Sequence, residues 1–276
     1  MGFRRSLALI VVATVAPILA FSAVAVYQYG REQSAAAEQA LLDAARALRL
    51  ALDNHFETTI TALRVLGTSQ YLDAGDLAAF HAQCLRALEA RAEWRTISLF
   101  DAVGRRLFIT SEPYGVPLPG PPPAMTEPFR RVVESRTAAV SDLFQSPLTK
   151  HHAVSVGVPI ARDGAVRWVI SAGMKLDALG TLASNLRGPS DWTAALFDRQ
   201  YRMAGGSGTP QSIGAPGPAG FVEAARAVSE GTPSAETAEG AQAITAFSRS
   251  AFGRCRAARR ATRCSHPGSR RTSSSR

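Results

Sequence analysis

"WRTISLFDAVGRR" (residues 94–106) and "DWTAALFDRQYRM" (residues 191–203) carry the same phrase, Leu-Phe-Asp with an Arg four residues beyond the Asp. In both copies a Trp opens an alternating run, and the Asp brings turn chemistry to its end. The first copy predicts strand, tight turn, strand: Ile97 and Leu99 lead in, residues 101–105 turn with Asp101 and Gly104, and residues 107–109 return. The second predicts a strand over 192–197, a turn, and a short strand near Met203. A phrase repeated at a separation of 97 residues, Asp101 to Asp198, reads as one strand-turn-strand module used twice.

Around the first copy, Asp76 is a good N-cap for a helix with Leu77, Phe80, Cys84, Leu85 and Leu88 on one face and His81 beside it. Beyond the hairpin, "SEPYGVPLPGPPPAM" (residues 111–125) is too rich in Pro for a central strand or helix and predicts a long functional loop. Thr126 caps a short helix through Glu134, with Pro128 in its first turn. Strands follow over 138–144, 153–160 and 166–172, the last two joined by a turn at Arg162-Asp163-Gly164. This is a lobe of one antiparallel sheet with helices on one side. A connecting helix over 176–186 and a boundary at 187–191 lead to the second copy, which continues through a Gly/Pro loop, a helix over 221–229 and a strand over 243–248. The chain is thus α+β, with two lobes in tandem at residues 68–187 and 188–253, the second incomplete.

Upstream, residues 33–66 hold neither Pro nor Gly and are rich in Ala, Leu, Glu and Arg, which predicts one long juxtamembrane helix over 28–67, ended by Gly67. Leu41, Ala45, Leu48, Leu52, Phe56, Ile60 and Leu63 draw a narrow, near-heptad stripe along it. Its membrane-near half is expected to pair two copies into a homodimer and its distal half to pack on the first lobe. Before this helix, "LALIVVATVAPILAFSAVAVY" (residues 7–27) is an uncharged apolar run of 21 residues, close to the ~20 that cross a bilayer. Arg4 and Arg5 precede it, which puts residues 1–6 in the cytoplasm and the lobes outside, as in a single-pass inner-membrane protein with a periplasmic or extracellular domain. A cleaved signal peptide ending at Ala23-Val24-Ala25 is the rival reading, although its apolar core would be unusually long.

The formal net charge is +9, and residues 254–276, with eight arginines and no acid, carry +8 of it. The body is nearly neutral, so nothing in it supports nucleic-acid binding. The tail has almost no large apolar residues and predicts disorder. Only Lys150 and Lys175 are lysines, and the Arg, Ala, Ser and Pro of the tail match out-of-frame reading of G+C-rich DNA, with a frameshift near Gly253. Cys84, Cys255 and Cys264 make no disulfide framework, and the last two with His266 have no zinc-site spacing. No metal or cofactor is assigned.

The chain has no P-loop, His-Glu-x-x-His or Gly-x-Ser-x-Gly motif, and "GGSG" at Gly205 lacks the strand-to-helix context of a phosphate loop. No catalytic residue is assigned, and the chain reads as a binding module rather than an enzyme. A pocket in such a lobe forms between the sheet face and the long loop over it. That nominates Tyr114 from the loop, Arg95 and Asp142 near strand ends, and His152 from "TKHHAVSVG" (residues 149–157), where alternation sends His151 and His152 to opposite faces. An arginine fork suits carboxylates, and a tyrosine offers an apolar face and a hydroxyl. Trp94 and Trp192 read as structural, since each begins the same strand in its lobe.

The anchor, the long helix, "LFDAVGRRLFITSEPYG" (residues 99–115) and "AVSVGVPIARDGAVRWVISAGMKLDAL" (residues 153–179) resemble the double Cache sensor domains of bacterial membrane receptors, especially sensor histidine kinases. The resemblance extends over residues 1–253. It implies two PAS-like lobes, a small metabolite bound by the distal one, and a second membrane helix leading to a cytoplasmic transmitter. On this reading the chain is a truncated extracytoplasmic input domain lacking its transmitter. An exported small-molecule-binding protein, and the input fragment of a chemoreceptor or diguanylate cyclase, are the alternatives. Arg91 and Trp94 approach the Arg, Trp and Tyr pattern of the amino-acid-binding subgroup but depart from its spacing.

Overall fold

The first helix of the computed structural model, α1, runs over Gly2–Leu66, through Pro17 and Gly30 as well as the Pro- and Gly-free stretch 33–66. The structure describes residues 2–117, 127–146, 150–185, 192–207, 212–236, 242–250 and 254–260. The apolar run 7–27 falls inside α1, where most side chains lie outside the described residues. Among the described residues no helix is long and apolar enough to cross a membrane. α1 stops at Gly67, whose N–H bonds the Leu63 carbonyl at 2.9 Å. A Cβ there would lie 2.9 Å from Ile160 Cγ1, so glycine lets the chain pass close to the first sheet.

All seven stripe residues are buried. Leu48, Leu52, Phe56, Ile60 and Leu63 enter a large core that holds the first sheet and also takes in Ala194, Leu196, Ala204 and Cys255 of the second, while Leu41 and Ala45 pack with Ala246 and Ala257 of the second. The N-terminal half of the stripe, expected to face a second copy, is therefore packed against its own chain. A spacing of four and three suits a sheet face as well as a partner helix.

Two short helices follow, α2 over Gln70–Asp73 and α3 over Leu77–Glu89, the latter capped by Asp76, whose carboxylate accepts from Ala79 N–H at 2.9 Å. α3 buries Phe80, His81 and Cys84. Burial pushes the Cys84 thiol up to about 12, as befits core filling rather than reactivity.

The first sheet is antiparallel, with strands β1 (Trp94–Asp101), β2 (Arg106–Ile109), β3 (Ala139–Val140), β4 (Phe144–Gln145), β5 (His152–Arg162) and β6 (Ala165–Met174). Its order is β2-β1-β6-β5-β3, with β4 also on β5. β5 and β6 are joined by a two-residue turn in which Asp163 and Gly164 take φ of 53° and 75°, the left-handed pair such a hairpin requires. Ile97, Leu99, Val154, Val156, Val158, Ile170, Ala172 and Met174 alternate onto the face packed against α1 and α3. The opposite face is covered by α4 (Glu127–Ser135) through Phe129 and Val132. Thr126 and residues 118–125 of the Pro-rich loop lie outside the described residues. The strand expected over 138–144 is divided into β3 and β4: Ser141 still bonds Ser155 of β5, but Asp142 and Leu143 turn aside to bond Arg199 and Asp198 of the second lobe.

Helix α5 (Leu176–Ser184) leads to the second antiparallel sheet: β7 (Trp192–Phe197), β8 (Met203–Gly206), β9 (Glu230–Gly231), β10 (Ser234–Glu236), β11 (Gln242–Arg249) and β12 (Arg254–Arg260), with α6 (Ala219–Ala227) packed on it. Its order is β10-β11-β12-β7-β8, with β9 on β11. The tail expected to be disordered from residue 254 begins instead with a central strand, for β12 pairs with both β11 and β7. Composition misled here: between the arginines, Cys255 and Ala257 are small enough to face α1, and both are buried. Residues 261–276 lie outside the described residues.

Candidate functional site

Alternation decides which side chains the uncovered part of the first sheet presents. On the face away from α1, β1 contributes Thr96, Ser98 and Phe100, β5 contributes Ala153, Ser155 and Gly157, and β6 contributes Val169, Ser171 and Gly173. Most of these are small, so the sheet and α4 stand apart and enclose a cavity of about 490 Å³, within the range of small-molecule sites. The glycines help to hold it open. A Cβ at Gly157 would lie 3.2 Å from Val132 Cγ2, and one at Gly173 would lie 2.7 Å from Thr96 Oγ1. Phe129 and Val132 form an apolar roof, and Arg95, Arg106, Asp142, Gln200 and Arg202 stand in the walls.

The last two belong to the second lobe, and the repeated phrase explains how they arrive. In the first copy Asp101 N–H bonds Arg105 O at 2.9 Å, Asp101 Oδ1 accepts Arg105 N–H at 2.8 Å, and Arg105 Nε donates to Asp101 Oδ2 at 3.0 Å. The second repeats each bond, with Asp198 and Arg202, at 2.9, 2.8 and 3.1 Å. The first turn faces solvent. The second is inserted into the first lobe, where Asp198 is 5% exposed. Asp198 Oδ2 accepts from Leu143 N–H at 3.0 Å, and Arg202 Nη2 donates to the Leu143 carbonyl. Next to it, Arg199 Nε donates to Asp142 Oδ1 at 2.9 Å and Arg199 Nη2 to the Val140 carbonyl at 2.8 Å. One ion pair, Arg199 with Asp142, thus joins the lobes beside the cavity, and the Asp198–Arg202 pair within the second turn is tied to the first lobe through the Leu143 backbone. Burial, with Asp198 nearby, raises the Asp142 carboxyl above its ordinary range, against the opposing pull of Arg131, Arg202 and a hydrogen bond from Gln200.

Arg95 and Arg106 are different. The Nε of each is buried and has no hydrogen-bond partner among the described residues. Arg106 lies over the Phe100 ring at 5.3 Å, and burial lowers its pKa.

Of the four residues nominated from the sequence, Arg95 and Asp142 line this cavity and Tyr114 and His152 do not. Tyr114 is 45% exposed and meets the buried His81 ring at 5.9 Å. The exposed His152 lies against the second lobe near Gly214. Arg106, Ser98, Ser155, Ser171, Gln200 and Arg202 were not foreseen. Polar or small residues alternating with the Val and Ile of β1, β5 and β6 were a readable signal for the serines, whereas nothing local pointed to Gln200 or Arg202. A wider groove of about 630 Å³ lies between α1 and α3, but its Arg91 is already paired with Glu93 at 3.4 Å and stacked on Trp94. Among the described residues no group of three His, Cys, Asp or Glu is placed to hold a metal ion.

A long helix serving two consecutive antiparallel sheets is an arrangement this chain shares with solved sensor and ligand-binding domains of a histidine kinase and of chemoreceptors. The chain is similar to the extracellular domain of histidine kinase rpHK1S-Z16, with a TM-score of 0.66 at 15% identity over 82% of this chain and 95% of that one. It is similar to the ligand-binding domain of Campylobacter jejuni chemoreceptor Tlp3 in complex with L-valine (TM-score 0.61, 10% identity, 84% and 95% covered). The ligand-binding domain of the Pseudomonas aeruginosa amino acid chemoreceptor PctB in complex with L-Arg gives a TM-score of 0.64 at 14% identity, with 81% and 94% covered. The expected two-lobed α+β architecture is thereby borne out. No family model matches the chain, and no curated protein matches it.

Proposed function

We propose that this chain is the extracytoplasmic ligand-sensing input domain of a membrane-bound signal-transduction receptor, of the two-component histidine kinase type. The observation that carries this reading is the shared wall of the cavity: its floor is first-lobe sheet, and Gln200 and Arg202 reach it from the second lobe. A molecule bound there touches both lobes. It shifts their arrangement to the extent that it binds one arrangement more tightly than another. The fold likeness supports this reading, and as an input module the chain recognises its ligand without transforming it. Arg95 and Asp142 are proposed site residues, joined by Arg106, Ser98, Ser171 and Gln200.

The same reading places the apolar run 7–27 in the membrane and both lobes outside. Pairing of two copies along α1 would use outward side chains such as Leu50 and Val65, which are 55% and 66% exposed, because the inner stripe is occupied. The test is a thermal-shift screen of the full chain in detergent against amino acids, organic acids and amines. A saturable rise in melting temperature with one compound class supports the proposal, and flat curves throughout overturn it. Retention in the membrane pellet after carbonate extraction checks the anchor.

A further inference from the structure

The charges around the cavity do not cancel. Its walls hold Arg95, Arg106 and Arg202 against a single carboxylate, Asp142. Arg202 is neutralised by Asp198 at 3.0 Å and Asp142 by Arg199 at 2.9 Å. Arg95 and Arg106 remain, each with a buried, unpartnered Nε and neither in an ion pair with a described residue. Both residues are half-buried, and a guanidinium Nε shut from water without an acceptor is costly, so a ligand that supplies the acceptor recovers that cost on binding.

The two arginines are also separated. Arg106 stands opposite Phe100 in the β1–β2 register, whereas Arg95 lies at the other end of β1. The five residue steps from Arg95 to Phe100 span about 16 Å of backbone, at about 3.3 Å each, and both arginine side chains line the cavity from these ends. Between the two ends the lining is Phe100, Phe129, Val132 and Val169, with the hydroxyls of Ser98 and Ser171 on the floor. The site is therefore cationic at its ends and largely apolar in the middle.

We propose that this cavity binds a small organic dianion, a dicarboxylate whose two ends meet Arg95 and Arg106 and whose carbon chain lies under Phe129 and Val132. An α-amino acid fits less well, because Asp142, the one carboxylate in the lining, already has its Oδ1 engaged by Arg199, whereas two guanidinium groups there have no ion-pair partner among the described residues. The inference rests on the ligand-sensing reading above and narrows it to one chemical class.

The experiment is isothermal titration calorimetry on the full chain in lipid nanodiscs. The probes are succinate, glutarate and adipate, their monoacid counterparts butyrate, valerate and hexanoate, and L-glutamate, L-leucine and L-arginine. The expected result is that one diacid binds at least about tenfold more tightly than its monoacid, as a second charge-assisted contact provides. Arg95→Gln and Arg106→Gln each remove that preference and weaken the diacid by about tenfold or more, while Arg105→Gln on the exposed turn leaves it unchanged. Both cavity variants lose an unpaired buried donor, so they should melt no lower than the parent, and the comparison of probes on the unaltered chain decides the matter even if one misfolds. Tighter binding of an amino acid than of any diacid overturns the dianion while leaving the sensing reading standing. Diacid binding undiminished in both arginine variants overturns the site. Absence of heat with every probe overturns the dianion, and with flat melting curves across the wider library it overturns the sensing reading as well.

Discussion

Asp198 and Leu143 are joined across the two lobes: the carboxylate accepts the Leu143 N–H at 3.0 Å while the Arg202 paired with that carboxylate donates to the Leu143 carbonyl. Among the described residues the matching Asp101 carboxylate bonds only within its own turn. Asp198→Asn leaves buried donors poorly matched and is expected to cost about 2–4 kcal/mol, whereas Asp101→Asn on the exposed turn costs about 1 kcal/mol or less. Denaturant unfolding of the two variants checks this, and equal losses would show that the second turn carries no load between the lobes.

Gly157 leaves room under α4 that any larger residue would take. Gly157→Leu should destabilise the protein by about 1–3 kcal/mol through overpacking and abolish the ligand-induced rise in melting temperature. A rise that persists in this variant would locate the ligand elsewhere.

Arg256 in β12 is 8% exposed, its Nε and Nη2 unpartnered among the described residues, with only the Phe221 ring at 5.6 Å beside its guanidinium. Burial lowers its pKa to about 10. Arg256→Met removes unsatisfied donors at a gain of about 1–4 kcal/mol and forfeits a ring contact of about 0.5–2 kcal/mol, so the variant should unfold at higher denaturant. A lower midpoint would mean that the guanidinium is compensated in solution.

His55 on α1 has a depressed pKa, chiefly because burial disfavours its charged form, with Arg91 adding to the effect and Glu93 opposing it. The unfolded chain therefore binds more protons than the folded one below about pH 6.5, the ordinary histidine value, and stability falls as pH drops through that window. Melting temperatures from pH 7.5 to 5 should decline, and less steeply in His55→Gln. Parallel declines would rule out His55 as the source.

Locally encoded features were legible in the sequence. The twin turns, the Asp163-Gly164 hairpin and the Asp76 cap each depend on residues within a few positions of one another, so the pattern of side chains specifies them. Features set by distant partners were not. The 138–144 strand breaks because Asp198 and Arg199 reach it from more than fifty residues away, and β12 holds its arginines because two neighbouring strands take up its backbone. The cavity was half visible: Arg95 and Asp142 stood near strand ends, while Gln200 and Arg202 arrive only through the docking of the second turn. Tyr114 and His152 do not line the cavity, because the fold turns them toward His81 and toward the second lobe.

The two sheets share one continuous rod: the second rests on α1 from Leu41 to Asp53, where Ser250 bonds it, and the core that begins at Leu48 holds side chains of both. Such a rod has no joint between its bearings, so a tilt imposed at one is shared by the other and appears at the free end as leverage. From Leu63 back to Tyr27 the arm is about 54 Å at 1.5 Å per residue, and a tilt of about 2° sweeps its tip through about 2 Å. A change too slight to disturb the strands of either sheet would thus reach the amino-terminal end as a shift wider than a carbon–carbon bond.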